Sequence, residues 1–209
     1  MNIVVIAPHP DDETIGCGGT ICVHADRGDR VAAVFLTSGE LGLKRLAADE
    51  ARALRETEAR SAARVLGLAS VEFLRLPDWG CGDDVAGAAG RLRLVLERER
   101  PERILLPHPL DDHPDHRAAL PAVREALGGL PSLRPALLGY EVWTPMPAFD
   151  HVEDISAVME RKLAALRCHA SQLVEFRYDR AVEGLNRYRG ALAGRCDYAE
   201  VLVTLAPTA

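Results

Sequence analysis

The sequence predicts an α/β fold: a three-layer α/β/α arrangement around a Rossmann-like, mostly parallel sheet, in a single domain spanning residues 1–209. Three observations carry this expectation. Strand-like and helix-like segments alternate through most of the chain. The first strand-like run, Ile3-Val4-Val5-Ile6, has no polar position, as in a strand buried on both faces. The chain has 209 residues, 48% hydrophobic and 27% charged, which is ordinary for one globular domain with a sizeable core.

The elements follow in order. Residues 2–7 read as a buried strand, and 14–27 as a helix despite Gly16, Gly18 and Gly19. Each glycine costs a helix about 1 kcal/mol against alanine, so the sheet or a ligand should need close backbone there. Gly28-Asp29 is a turn, 30–37 a second strand and 38–42 a loop at its end. Residues 47–66, rich in Ala, Arg and Glu, predict a long helix stopped by Gly67. A third strand, 71–76, ends at Pro77-Asp78-Trp79-Gly80. The helix 85–100, the strand 103–106 and the helix 115–127 come next. A fifth strand, 137–143, runs into the proline-broken loop 144–147, and 156–168 is a helix. Residues 169–194 show no clear period, and 198–205 alternates enough for an edge strand.

Composition narrows the function. A net charge of −6 disfavours a nucleic-acid partner held by phosphate contacts. No apolar run reaches the roughly 18 residues of a membrane span, and no basic-then-apolar leader opens the chain. Cys17, Cys22, Cys81, Cys168 and Cys196 include no Cys-x-x-Cys pair, so free thiols in a reducing cytoplasm are expected. Homo-oligomerisation stays open.

The chemistry gathers at two strand ends. Ala7-Pro8-His9-Pro10-Asp11-Asp12-Glu13 follows the first strand, and His108-Pro109-Leu110-Asp111-Asp112-His113-Pro114-Asp115-His116 follows the fourth. Strand C-terminal ends are where open α/β sheets bind ligands. His9 and Asp12 are three apart, close enough to share one cation, and the two clusters together look like a His/Asp/His metal site.

At these clusters the sequence resembles the zinc-dependent N-deacetylases of the LmbE-like, or PIG-L, family. That family includes the GlcNAc-PI de-N-acetylase of GPI-anchor synthesis and the mycothiol and bacillithiol deacetylases. The signatures are Pro8-His9-Pro10-Asp11-Asp12-Glu13 and His113-Pro114-Asp115-His116. Gly18-Gly19-Thr20, Thr37-Ser38-Gly39-Glu40, Arg55-x-x-Glu58, Leu76-Pro77-Asp78, Lys162 and His169-x-Ser171-Gln172 extend the resemblance over nearly the whole chain.

The resemblance implies one Zn2+ per chain on His9, Asp12 and His116, with an open position for water. Other divalent metals also suit two imidazoles and a carboxylate. It implies Asp11 as general base, and a protonated His113 stabilising the oxyanion with Asp115 as its orienting carboxylate. Arg55 and Asp78 resemble substrate-contacting positions, and a wall from Ser38 through Glu40 to Gly42 would close the pocket. The implied reaction removes acetyl from an N-acetylglucosaminide.

Blander readings stand beside these. Asp11 would serve as a helix N-cap, Asp111 and Asp112 as loop caps, and Arg55–Glu58 as a solvated pair. His24 reads as a surface histidine, His151 as part of a polar loop, His108 as support behind the site and Cys17 as a packing residue. Trp79 and Trp143 would stack on a sugar or simply pack. Three other functions compete. Gly16-x-Gly18-Gly19 invites a dinucleotide, but Ile21 breaks the Rossmann spacing. A metal module without catalysis would need neither Asp11 nor His113. A zinc amidohydrolase of a non-sugar, antibiotic-type N-acyl amine differs only in its loops.

Overall fold

In a computed structural model, which describes residues 1–206, the first strand is covered on both faces. This strand, β1 (Asn2–Ala7), sends Ile3, Val5 and Ala7 into one core and Val4 and Ile6 into the other. That is the period of two expected of a pleated strand, with apolar residues at both phases because helices cover both sides. The other strands are β2 (Arg30–Phe35), β3 (Ser70–Phe73), β4 (Arg103–Pro107), β5 (Ala136–Tyr140), β6 (His151–Asp154) and β7 (Ala199–Leu205). They form one seven-stranded sheet in the order β3-β2-β1-β4-β5-β7-β6. The first five are mutually parallel, while β7 pairs antiparallel with both β5 and β6.

The helices are α1 (Asp12–Asp26), α2 (Ala48–Leu66), α3 (Val85–Glu99), α4 (Pro114–Gly128), α5 (Met159–Cys168), α6 (Ala170–Glu175) and α7 (Tyr178–Arg189). Ile21, Leu66 and Leu163 place α1, α2 and α5 over one face. Leu92 and Val123 place α3 and α4 over the other. The three-layer α/β/α expectation is therefore met. α2 ends at Gly67, whose φ of 86° is the left-handed conformation glycine adopts freely.

The glycines of α1 have a structural cause. A Cβ on Gly16 would collide with the Tyr140 ring, and one on Gly19 with the Ile155 side chain. The helix also kinks at Cys17 (φ −139°, ψ 22°). Beyond the kink, the N–H groups of Gly19 and Thr20 donate to the Glu200 carboxylate at 2.8 and 2.7 Å. Glu200 in turn accepts from Lys162 Nζ at 2.6 Å, and Lys162 donates to Asn186 at 2.8 Å. Lys162 is fully buried, and this pair ties α1, α5, α7 and β7 together. Lys162→Met should leave a buried, uncompensated carboxylate and cost about 3 kcal/mol or more. A urea titration with an unchanged midpoint would refute this role.

Several elements differ from the sequence expectation. β3 and β5 stop at Phe73 and Tyr140, before their apolar runs end. His151 opens β6, a four-residue edge strand too short and polar to show alternation. The segment after residue 168 holds two helices and a five-residue π-turn, Gly190–Gly194. His24 is buried, because Asp29 holds its Nδ1 at 2.7 Å and Arg103 lies 3.3 Å from its Nε2. Cys17 is a buried packing residue, as expected, and all five cysteines are free. Among the described residues no helix is long and apolar enough to cross a membrane.

Candidate active site

β1 has β2 on one side and β4 on the other, so connections leave it in opposite directions along the sheet. A crevice opens at such a switch point. The turns after β1 and β4 both end there and bring His9 and Asp12 against His116, more than a hundred residues away in sequence. His9 Nδ1 lies 3.1 Å from Asp12 Oδ2, Asp12 Oδ2 lies 3.2 Å from His116 Nε2, and His116 Nε2 lies 3.4 Å from His9 Nδ1. Ligands about 2.0–2.1 Å from a tetrahedral zinc stand about 3.3–3.4 Å apart, so this triangle of two imidazoles and a carboxylate fits one.

The outward atoms of both rings are held by carboxylates. His9 Nε2 faces Asp115 Oδ2 and Asp78 Oδ1, each at 3.2 Å. His116 Nδ1 bonds Asp111 Oδ1 at 2.9 Å. Such bonds fix the tautomer that turns the opposite nitrogen toward a metal. Groupings of His9 and His116 with His113, and of His9 with Asp78 and Asp115, also bring donor atoms together. The Asp12 triangle has all three sides at 3.4 Å or less. His113 Nδ1 is already used by the Asp115 N–H at 3.2 Å, and Asp115 accepts the Trp79 and Cys81 N–H groups at 2.8 and 3.0 Å.

The charges of the site call for a cation. Burial opposes protonation of His9, yet Asp12, Asp115 and Asp78 outweigh it and hold its pKa well above the usual value. Burial likewise opposes a charged His116, but Asp12 and Asp111 raise it to about 9. Burial disfavours a charged Asp12, but His116 and His9 keep its pKa well below the ordinary range. Protons on the imidazoles thus neutralise a carboxylate cluster that a bound dication would neutralise in their place.

The profile of the PIG-L family, described as GlcNAc-PI de-N-acetylase, matches residues 4–127. The chain belongs to the PIG-L family. A diacetylchitobiose deacetylase of Thermococcus kodakarensis is 32% identical over 83% of this chain and 70% of the relative. A 4-oxalmesaconate hydratase of Pseudomonas putida is 30% identical over 81% of this chain and 73% of its own. The solved structure of a conserved protein from Thermus thermophilus superposes with a TM-score of 0.85 at 33% identity, over 100% of this chain and 96% of that one.

Within this PIG-L site, Asp11 stands beside the triangle in a strained conformation, with φ at 125°. Glu13 Oε2 accepts its N–H at 3.1 Å, and Thr14 and Ile15 donate to its carbonyl at 3.0 and 2.8 Å. Asp11 makes no side-chain cap to α1, which removes the N-cap reading. Burial raises its pKa to about 6, against the pull of Arg55. Arg55 Nη2 lies 3.3 Å from Asp11 Oδ2 and donates to the Pro10 carbonyl at 2.7 Å, while Nη1 donates to the Gly39 carbonyl at 2.8 Å. Arg55 is thus buried and clamps Asp11 and two loops. Glu58 bonds Ser171 rather than forming a solvated pair with it.

A cavity of about 520 Å3 opens over these groups, bordered by His9, Asp11, Asp12, Arg55, Asp78 and His113. Three expectations need correction. Asp115 does not orient His113 through its carboxylate; that carboxylate serves His9 and the Trp79 turn, and only its backbone N–H reaches His113. Ser38 is fully buried and donates to Glu56 at 2.9 Å, so it lines no pocket. Glu40 lies behind the wall, accepting the Asp78 N–H at 3.3 Å, while Leu41 and Gly42 form the lining. Asp111 caps its loop as expected, accepting the N–H groups of His113, Trp143 and Thr144, and at 1% exposure it also holds His116. Its five-residue spacing before His116 was the only sequence signal. His108, expected as support, bonds the Thr144 carbonyl at 2.7 Å and steadies the same loop. Asp111→Asn should weaken metal affinity about 10–100-fold. Competition with a chromophoric chelator measures this, and an unchanged affinity would deny Asp111 its part.

Proposed function

We propose that the protein hydrolyses the acetamide of an N-acetylglucosaminide, releasing acetate and the free amine. The observation that carries this reading is the donor triangle of His9, Asp12 and His116 with Asp11 poised beside it. The deacetylase relative and the family description support the sugar amide as substrate. Zinc, held by those three residues, would supply an acidified water and polarise the amide carbonyl.

The chain's own residues do the rest. Asp11, with a pKa of about 6, is ionised at neutral pH and accepts the water proton, then delivers it to the departing amine. Arg55 holds that carboxylate in place. For His113 this reading takes the neutral ring in place of the protonated one. Its Nδ1 accepts the Asp115 N–H, which leaves the ring proton on Nε2. Burial, together with His9 and His116, depresses its pKa to about 4. A neutral His113 therefore donates Nε2–H to the carbonyl oxygen as charge develops there. Trp79 and Trp143 flank its ring, at 4.5 and 5.4 Å between centroids.

Acetate release from a panel of N-acetylglucosaminides tests the reading, with enzyme as purified, chelated and zinc-restored. Activity that vanishes with chelator and returns with zinc is expected. A metal-loaded protein that releases no acetate would end it. One observation favours a second reading. Lys44 and Arg45 border the cavity and suit a carboxylate-bearing substrate, as in water addition to an unsaturated acid, the type of reaction named for the hydratase relative. Loss of the alkene absorbance without acetate formation would select it.

A further inference from the structure

A second cavity, of about 360 Å3, lies against the catalytic one. Trp143, Phe176 and Tyr178 border both. Beyond them its walls are apolar: Ile15 from the first turn of α1, Val142 and Pro145 after β5, and Val182 and Leu185 from α7. Three polar residues reach it, and all are engaged elsewhere. Glu141 pairs with Arg189 and accepts the Met146 N–H. Asn186 bonds Lys162 and the Ala199 carbonyl, and Glu200 binds Lys162 and α1. A sugar placed here would lose water from its hydroxyls and find few partners beyond the Tyr178 hydroxyl and the Trp143 indole at the border, at a cost of about 1–3 kcal/mol for each group left unpaired.

The catalytic cavity is more polar, with Arg55, Lys44, Gln172 and Glu175 among its lining. The volume of the apolar chamber falls in the small-molecule range of about 300–1,000 Å3. Trp143 and Phe176 at the border are 48% and 54% exposed, an uncovered apolar surface leading into it.

We infer that this chamber receives an apolar aglycone, an alkyl chain or aryl ring on the anomeric carbon of the glucosaminide. An acetyl group offers one methyl and reacts in the neighbouring cavity, and His9, Asp11, Asp12, His113 and His116 do not line the chamber. The anomeric substituent sits one carbon from the amide-bearing carbon and leads away from it. The inference rests on the deacetylase reading, with a substrate more amphiphilic than a free sugar.

The experiment compares methyl, hexyl and phenyl N-acetylglucosaminides, and N-hexanoylglucosamine against N-acetylglucosamine, using zinc-loaded enzyme. A buried methylene contributes about 0.8 kcal/mol, so the hexyl glycoside should show a KM at least about tenfold below the methyl glycoside, with kcat little changed. Ala181→Trp, on the exposed side of α7 and projecting into the chamber, should erase that hexyl-to-methyl ratio. Equal KM values across the glycosides, with acetate released from all, would overturn the aglycone chamber and leave the deacetylase reading intact. A preference that follows the N-acyl chain would assign the chamber to the acyl group and overturn the inference equally. No acetate from any glycoside would sink both readings.

Discussion

Asp11→Asn lowers kcat by about 10²–10⁴-fold while leaving metal content at the wild-type level, the range expected for loss of a positioned base. Asparagine keeps the volume and can still take a hydrogen bond from Arg55, so the clamp to Pro10 and Gly39 survives. It cannot accept the water proton. The pH profile carries a second readout. Burial sets the Asp11 pKa at about 6 in the metal-free protein, and the base is the ionised form. kcat/KM therefore rises as pH increases through this limb, and a bound cation, favouring the carboxylate, places the limb at or below that value. The residual activity of Asp11→Asn lacks this limb. Metal loss in the variant, or a limb that persists unchanged, would take the base role from Asp11. The strained φ of 125° at this residue is consistent with a backbone bent to present the carboxylate, since Glu13, Thr14 and Ile15 all hold it there.

His116→Ala abolishes both stoichiometric metal binding and turnover. It removes one corner of a triangle whose sides are 3.1, 3.2 and 3.4 Å and leaves only two donors for the cation. The effect is readable apart from catalysis. A ligand present at 1,000 times its Kd stabilises the native state by about 4.1 kcal/mol, so zinc raises the Tm of the wild-type protein and not that of the variant. A variant whose Tm still climbs with zinc would place the metal on another set, the His9–Asp78–Asp115 grouping being the first to test.

Much of this architecture was readable in the chain. The apolar run of β1 followed at once by His9, Asp11 and Asp12 put chemistry at a strand end, and the cluster after β4 repeated the pattern. Both turns are short, so each group is placed by local geometry. The pairing of carboxylates with imidazoles was not readable. Asp111, Asp112 and Asp115 lie within five residues, and all three precede His116. Helix α4 begins between them, with His113 as its N-cap, and turns Asp115 toward His9 while the loop turns Asp111 toward His116. Ser38 and Glu40 failed as pocket residues for a related reason. Glu56 and the Asp78 backbone, both far away in sequence, claim these two polar side chains.

The sequence by itself determined the first five strands, the helices as far as residue 168, their order and the two clusters, because periodicity and short-range spacing are written in neighbouring residues. Only the tertiary structure decided which oxygen meets which nitrogen, which of the glycines of α1 face bulky side chains, and that an apolar chamber stands beside the polar cavity. Those outcomes depend on directions in space between residues far apart in the chain. They are set when strands β1 and β4 become neighbours and α7 packs against β7 and α5.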